Sequence, residues 1–160
     1  MTRMPGAVSA LEPAELLTAA AGTGALLTGG IYAAFHLMVL PVLDRLAPEH
    51  AARTMRAIND AAERPPFLLL FFGTAGAAVA SGVFALGDDG GRPVQVVVGA
   101  GLTAAAFMLT MVVNVPLNRR LAAASDPAAG WGAFRRRWGT ANTARSLFSI
   151  AGGILLLTAR

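Results

Sequence analysis

Between Glu15 and Asp44 the chain runs for twenty-eight residues without a formal charge, between Arg64 and Asp88 for twenty-three, and between Arg92 and Arg119 for twenty-six. A helix rises about 1.5 Å per residue and needs about 20 apolar residues to cross about 30 Å of hydrocarbon. Each run is long enough. Inside lipid the backbone groups have no water to bond, so such runs must be helical. The composition agrees: 55% of the residues are hydrophobic and 14% charged, against about 25% charged in an ordinary globular domain. Too few charges remain to coat a water-facing surface. A fourth run, Ser146 to Ala159, holds only fourteen uncharged residues, about 21 Å of helix. That span must borrow residues from before Arg145 and carry the arginine inside it. The fold class that follows is all-α, an integral membrane four-helix bundle. It forms a single domain over residues 1–160, with spans at about 14–43, 66–86, 93–117 and 138–159 and loops at 44–65 and 118–137.

All thirteen basic residues are arginine, and their positions predict a direction. Loop 44–65 holds four and the segment from Asn118 to Arg137 five, against Arg3, Arg92 and Arg160 on the other side. This asymmetry places both large loops in the cytoplasm and both termini outside, in a multi-pass protein of the cell membrane. Glu12 and Glu15 precede a first run too long for a signal-peptide core, so that span is expected to be permanent. The turn from Gly87 to Pro93 is short and makes spans two and three antiparallel neighbours. Small residues recur at four-residue spacing: Ala25, Gly29 and Ala33; Gly73, Ala77 and Ser81; Ser149 and Gly153. Such stripes are expected as helix-packing seams. Ala47 and Pro48 open an amphipathic helix in loop 44–65, expected at the membrane interface.

Much chemistry is excluded at once. Without cysteine or lysine there is no disulfide, thiolate metal site, cysteine nucleophile, Schiff base or P-loop lysine. The only histidines are His36 and His50, and no carboxylate falls inside a span, so the Glu-x-x-His pairs of a di-iron bundle are missing. No metal and no cofactor are expected. In GTGALLTGG the third glycine of a dinucleotide fingerprint is Leu27. The net charge of +4 is explained by membrane topology, so no nucleic-acid partner is expected.

What remains is polar and sits toward one membrane side. Asn114 and Asn118 share a helix face around Pro116, whose missing N–H leaves the Val112 carbonyl without its usual donor. Trp138, Asn142 and Arg145 share a face of the fourth span. An arginine at mid-helix costs about 2.5 to 3.5 kcal/mol on insertion scales, so Arg145 should turn inward and find partners. Asn114, Asn118, Asn142 and Asn59 are the candidate partners, the first three sharing one polar cavity with Arg145. With Trp138 and Tyr32 to line it, that cavity suits a small planar polar ligand. His36, inside the first span, is a further candidate as an ionisable group within the membrane, and His50 is expected to be solvated.

The segments GIYAAFHLMVLPVL (Gly30 to Leu43), MRAIND (Met55 to Asp60), PFLLLFFGTA (Pro66 to Ala75), NVPLNRRLA (Asn114 to Ala122) and W-x6-W-x3-N-x2-R (Trp131 to Arg145) resemble, in order and spacing, the anthrone oxygenase-like family of small four-span membrane proteins. The resemblance covers most of the chain from Gly30 onward, and NVPLN with the tryptophan, asparagine and arginine pattern is its most specific part. It implies oxidation of an anthrone-type aromatic polyketide to an anthraquinone by molecular oxygen, with a small aromatic substrate and oxygen as partners beside membrane lipid. One departure is visible: Thr143 stands where a histidine is expected after the family asparagine. On this reading Arg145 with Asn114, Asn118 and Asn142 holds the enolate oxygen, and the base is His36, taken as buried, or a water held by the asparagines. The alternative is a non-catalytic membrane protein, an assembly subunit or a binder of small lipid-like molecules. Transport is weakened by the lack of a membrane carboxylate, and homo-oligomer formation is left open.

Overall fold

Prolines and polar caps mark where the helices start. Pro13, Pro48, Pro65 and Pro127 each stand in a first turn, where a missing N–H costs nothing. Asp126 caps the last helix, its Oδ1 accepting from the backbone N–H groups of Ala128 (3.1 Å) and Ala129 (3.2 Å). The computed structural model describes residues 12–87 and 93–159, and among these there are five helices and no strand. They are α1 (Pro13–Leu43), α2 (Pro48–Ala62), α3 (Pro65–Leu86), α4 (Val94–Ala123) and α5 (Pro127–Thr158). Three of them, α1, α3 and α4, are long and apolar enough to cross a membrane by length and composition.

The four long helices form a ring in the order α1, α3, α4, α5. Neighbours run antiparallel: Gly22 lies against Leu156 while Asn142 reaches Tyr32, and Gly99 lies against Gly152 while Arg145 reaches Thr110. The amphipathic helix expected in loop 44–65 is α2. It closes one end of the ring through Ala51, Ala52 and Met55, which pack on Leu40, Leu43, Leu121, Trp131, Phe134 and Trp138. Arg56 ties it down, donating from Nε to the Leu121 carbonyl (2.8 Å) and from Nη2 to that of Ala124 (2.9 Å). Those carbonyls lie at the end of α4, where the helical ladder runs out; of backbone donors, Leu121 accepts only a long bond from the Ala124 N–H (3.4 Å). At the far end a second apolar cluster gathers Ala21, Ala78, Val96, Ala100 and Leu156. Between the two clusters the buried side chains turn polar, with Thr28, Tyr32, Thr103, Thr110, Asn114, Asn142, Arg145 and Ser149.

Two expectations change. The segment 118–137 is mostly helix rather than loop, because α4 continues to Ala123 and α5 starts at Pro127. Its charge is compatible with helix because Arg135 reaches across to Asp44 at the end of α1, Nε to Oδ1 at 2.8 Å and Nη2 to Oδ2 at 2.7 Å. The stripe Gly73, Ala77, Ser81 holds only in part: Ser81 is buried and Ala77 packs on the far apolar cluster, but Gly73 does not join them. Gly73 faces open space, and the buried positions of α3 are Phe71, Thr74, Ala78 and Ser81. A helix buries the arc its two neighbours cover, and the spacing of small residues does not fix that arc.

The tightest seam belongs to α5, where adjacent glycines serve two neighbours. A Cβ on Gly152 would stand 2.6 Å from Thr103 Oγ1 and 2.8 Å from the Gly99 carbonyl of α4. A Cβ on Gly153 would stand 2.8 Å from Leu26 Cγ and 2.9 Å from the Gly22 carbonyl of α1. Backbones this close are available only to glycine, and in lipid close packing is the main force between helices.

Candidate functional site

Arg145 is the only charged side chain buried among the described residues. Helical spacing puts it on the α5 face that carries Trp138 and Asn142. Its Nε and Nη2 donate to Asn142 Oδ1 (3.2 and 2.9 Å), and its Nη1 donates to Thr110 Oγ1 on α4 (3.2 Å). The guanidinium carbon lies 4.0 Å from the Tyr32 ring centroid and 5.2 Å from that of Trp138. Stacking of this kind is worth about 0.5 to 2 kcal/mol and softens the loss of water. No carboxylate pairs with Arg145 among the described residues, and a guanidinium fork has more N–H donors than these bonds use. The site therefore holds a buried positive charge with donors to spare.

The asparagines hold three helices together around it. Asn142, wholly buried, donates from Nδ2 to the Tyr32 carbonyl of α1 at 2.8 Å. Trp138 Nε1 donates to Asn118 Oδ1 at 2.8 Å, and Asn114 Nδ2 donates to the Trp138 carbonyl at 3.4 Å. Asn114 Oδ1 is buried and accepts from no partner. Beside Tyr32 a crevice lined by Thr28, Phe71, Thr74, Phe107 and Ser149 has about 10 Å³ of free space, room for about one water.

Two backbone irregularities flank the cluster. Within α1 and α4 the residues Phe35–Val39 and Thr110–Asn114 form wide, π-helical turns. Each is followed by one residue and then a proline, Pro41 and Pro116. A proline ring inside a helix clashes with the carbonyl four residues back, here Leu37 and Val112, and widening the turn makes room. Wide turns of this type concentrate at functional sites. One delivers Thr110 and Asn114 to α5, and the other carries His36 and follows Tyr32.

Of the residues expected at the site, Tyr32, Trp138, Asn142 and Arg145 meet directly, and Asn114 and Asn118 join through Trp138. They are close-packed rather than arranged around an open cavity. Asn59 is half-buried on α2 and bonds to none of them, and His50 on the same helix is exposed. The expectation that His36 is buried is overturned: it is exposed on the outer surface of the bundle, its Nδ1 3.0 Å from Thr143 Oγ1. The helix phase that turns Tyr32 inward turns His36 toward the seam with α5. Thr110 was missed because a threonine bonding its own helix carbonyl, here Ala106 at 2.9 Å, looks inert in sequence. The one available signal was the recurrence of an inner proline in two apolar runs. Among the described residues no group of three His, Asp or Glu side chains is placed to hold a metal ion.

No curated protein and no solved structure matches the chain. A family model described as anthrone oxygenase does match, over residues 67–155. That range covers more than half of the sequence and includes every residue of the cluster except Tyr32. The chain thus belongs to the anthrone oxygenase family.

Proposed function

We propose that the protein oxidises an anthrone-type aromatic polyketide to the corresponding anthraquinone with molecular oxygen. The observation that carries this reading is Arg145, a buried cation lacking a carboxylate partner among the described residues and stacked on Tyr32. An anthrone that loses a proton from its central methylene becomes an enolate, and its oxygen is the anion such a site is built to receive. Preorganised donors aimed at a developing oxyanion are among the largest contributions to catalysis. The enolate carbon then transfers electrons to oxygen and bonds to it, giving a hydroperoxide. Loss of water from that hydroperoxide leaves the new carbonyl. One oxygen atom enters the quinone and the other leaves as water, so no outside reductant is required.

The remaining groups have definite parts. Tyr32 and Trp138 offer faces to a planar ring, and Asn114 Oδ1 is an acceptor able to hold the water that takes the proton. A three-ring substrate needs far more room than one water, so Phe71 and Phe107 must part when it binds. The competing reading, an assembly or lipid-binding subunit without chemistry of its own, draws on the close packing of the same cluster. Oxygen uptake by the purified protein with an anthrone separates them. Arg145→Gln should lower turnover by about 10² to 10³ while the fold persists, the usual loss for one oxyanion donor. A variant that melts early yet keeps full turnover per folded molecule would make Arg145 structural.

We also infer that α5 crosses the membrane together with α1, α3 and α4, with loop 44–65 and the link at 124–126 in the cytoplasm and both termini outside. The arginine asymmetry supports this direction. Cysteines introduced at positions 90 and 128 test it in intact cells. Impermeant reagent should label 90 alone, and labelling at 128 alone would invert the topology.

A further inference from the structure

A groove of about 600 Å³ runs along the outside of the bundle between α4 and α5. Its walls include Val112, Pro116, Ala141 and Ala144, and Arg120, Arg136 and Arg137 reach its rim. All three arginine side chains are exposed, and none has a hydrogen bond or ion pair among the described residues. Each of the two helices changes character at this level. Arg119 and Arg120 are the first charges after the twenty-six uncharged residues of the third run, and Arg137 is the last charge before Arg145. On the topology proposed above, in which α5 spans beside α4, the boundary between apolar wall and guanidinium rim falls where hydrocarbon meets headgroups. None of the side chains around the Arg145 guanidinium lines the groove.

We propose that this groove binds an anionic phospholipid, its phosphate on Arg120, Arg136 and Arg137 and an acyl chain along the wall formed by Val112, Pro116, Ala141 and Ala144. Guanidinium groups match phosphate with paired N–H donors, and basic pockets between membrane helices hold headgroups in this way. The apolar length below the rim selects an amphiphile over a free anion. A neutral aromatic would leave the three cations unanswered. The three arginines lie outside the Arg145 cluster, although Val112 and Pro116 of the wall belong to the wide turn and proline that carry Thr110 and Asn114.

The test is native mass spectrometry and lipid-dependent melting of the full chain, comparing phosphatidylglycerol, phosphatidylcholine and inorganic phosphate. Phosphatidylglycerol should be retained and should raise the melting temperature, while the other two should do neither. Changing Arg120, Arg136 and Arg137 together to Gln should weaken its binding about 100-fold, a factor of about five for each charge. A control with Arg45, Arg53 and Arg64 changed to Gln carries the same net charge and should bind as the wild type does. Both variants are first checked for an unchanged melting temperature in neutral detergent, and single Arg→Gln changes replace the triple if it melts early. Equal losses in both variants, no preference for phosphatidylglycerol, or equal stabilisation by inorganic phosphate would each overturn the proposal.

Discussion

Arg145 and Asn114 differ in charge but both are buried with bonding capacity left over. For Asn114 the surplus is one amide oxygen, and leaving it unmatched costs about 1 to 3 kcal/mol. Asn114→Leu keeps the branching and relieves that cost, but it is bulkier and gives up the bond to the Trp138 carbonyl, so the melting temperature should shift by only a few degrees either way. If the oxygen holds a reacting water, the same change lowers turnover about tenfold, one hydrogen bond of about 1.4 kcal/mol at the transition state. His36→Gln should keep turnover within about twofold, because its ring lies outside the cluster. Oxygen uptake on the two variants checks both, and a His36 variant with lost turnover would return the base to that residue. Arg145 was legible in the sequence, since a run of fourteen uncharged residues forced it into a span and spacing set it beside Trp138 and Asn142. The exposure of His36 was not, because one histidine in an apolar run carries no sign of which way it faces.

Among the elements, the paired wide turns are the least expected. Apolar runs show that helices exist and roughly where they end, and Pro116 was readable as a broken bond at Val112. Whether a helix answers such a break by kinking, ending or widening depends on neighbours far away in the chain. Here Thr110 and Asn114 stand at the two ends of the widened turn and both face α5. Pro116→Ala removes the clash and allows an ordinary α-helical turn, which rotates Asn114 away from Trp138. We expect turnover to fall by about tenfold or more with melting unchanged or raised, since a strained turn has been relaxed at the expense of the site. Melting and oxygen uptake in one preparation check this. Unaltered turnover would remove the wide turn from the mechanism.

At the level of the whole molecule, the ring is held from α5, whose glycine pair grips α4 with Gly152 and α1 with Gly153. Gly152→Ala should lower stability by about 1 to 3 kcal/mol, because backbone rather than a mobile side chain must move. Gly101→Ala, where an added Cβ meets nothing within 4 Å, should be neutral or slightly stabilising, as expected of alanine in a helix. Thermal unfolding of the two in the same detergent decides it, and equal melting would show the seam to be slack. Because α5 follows α1, α3 and α4 in the sequence, the ring cannot close before α5 has been synthesised. Until α5 leaves the ribosome, α1, α3 and α4 must wait in the bilayer with the Gly22 and Gly99 carbonyls facing lipid or some temporary companion. A nascent chain halted before Pro127 should then be a substrate for membrane quality control, and one that has passed Gly153 should escape it.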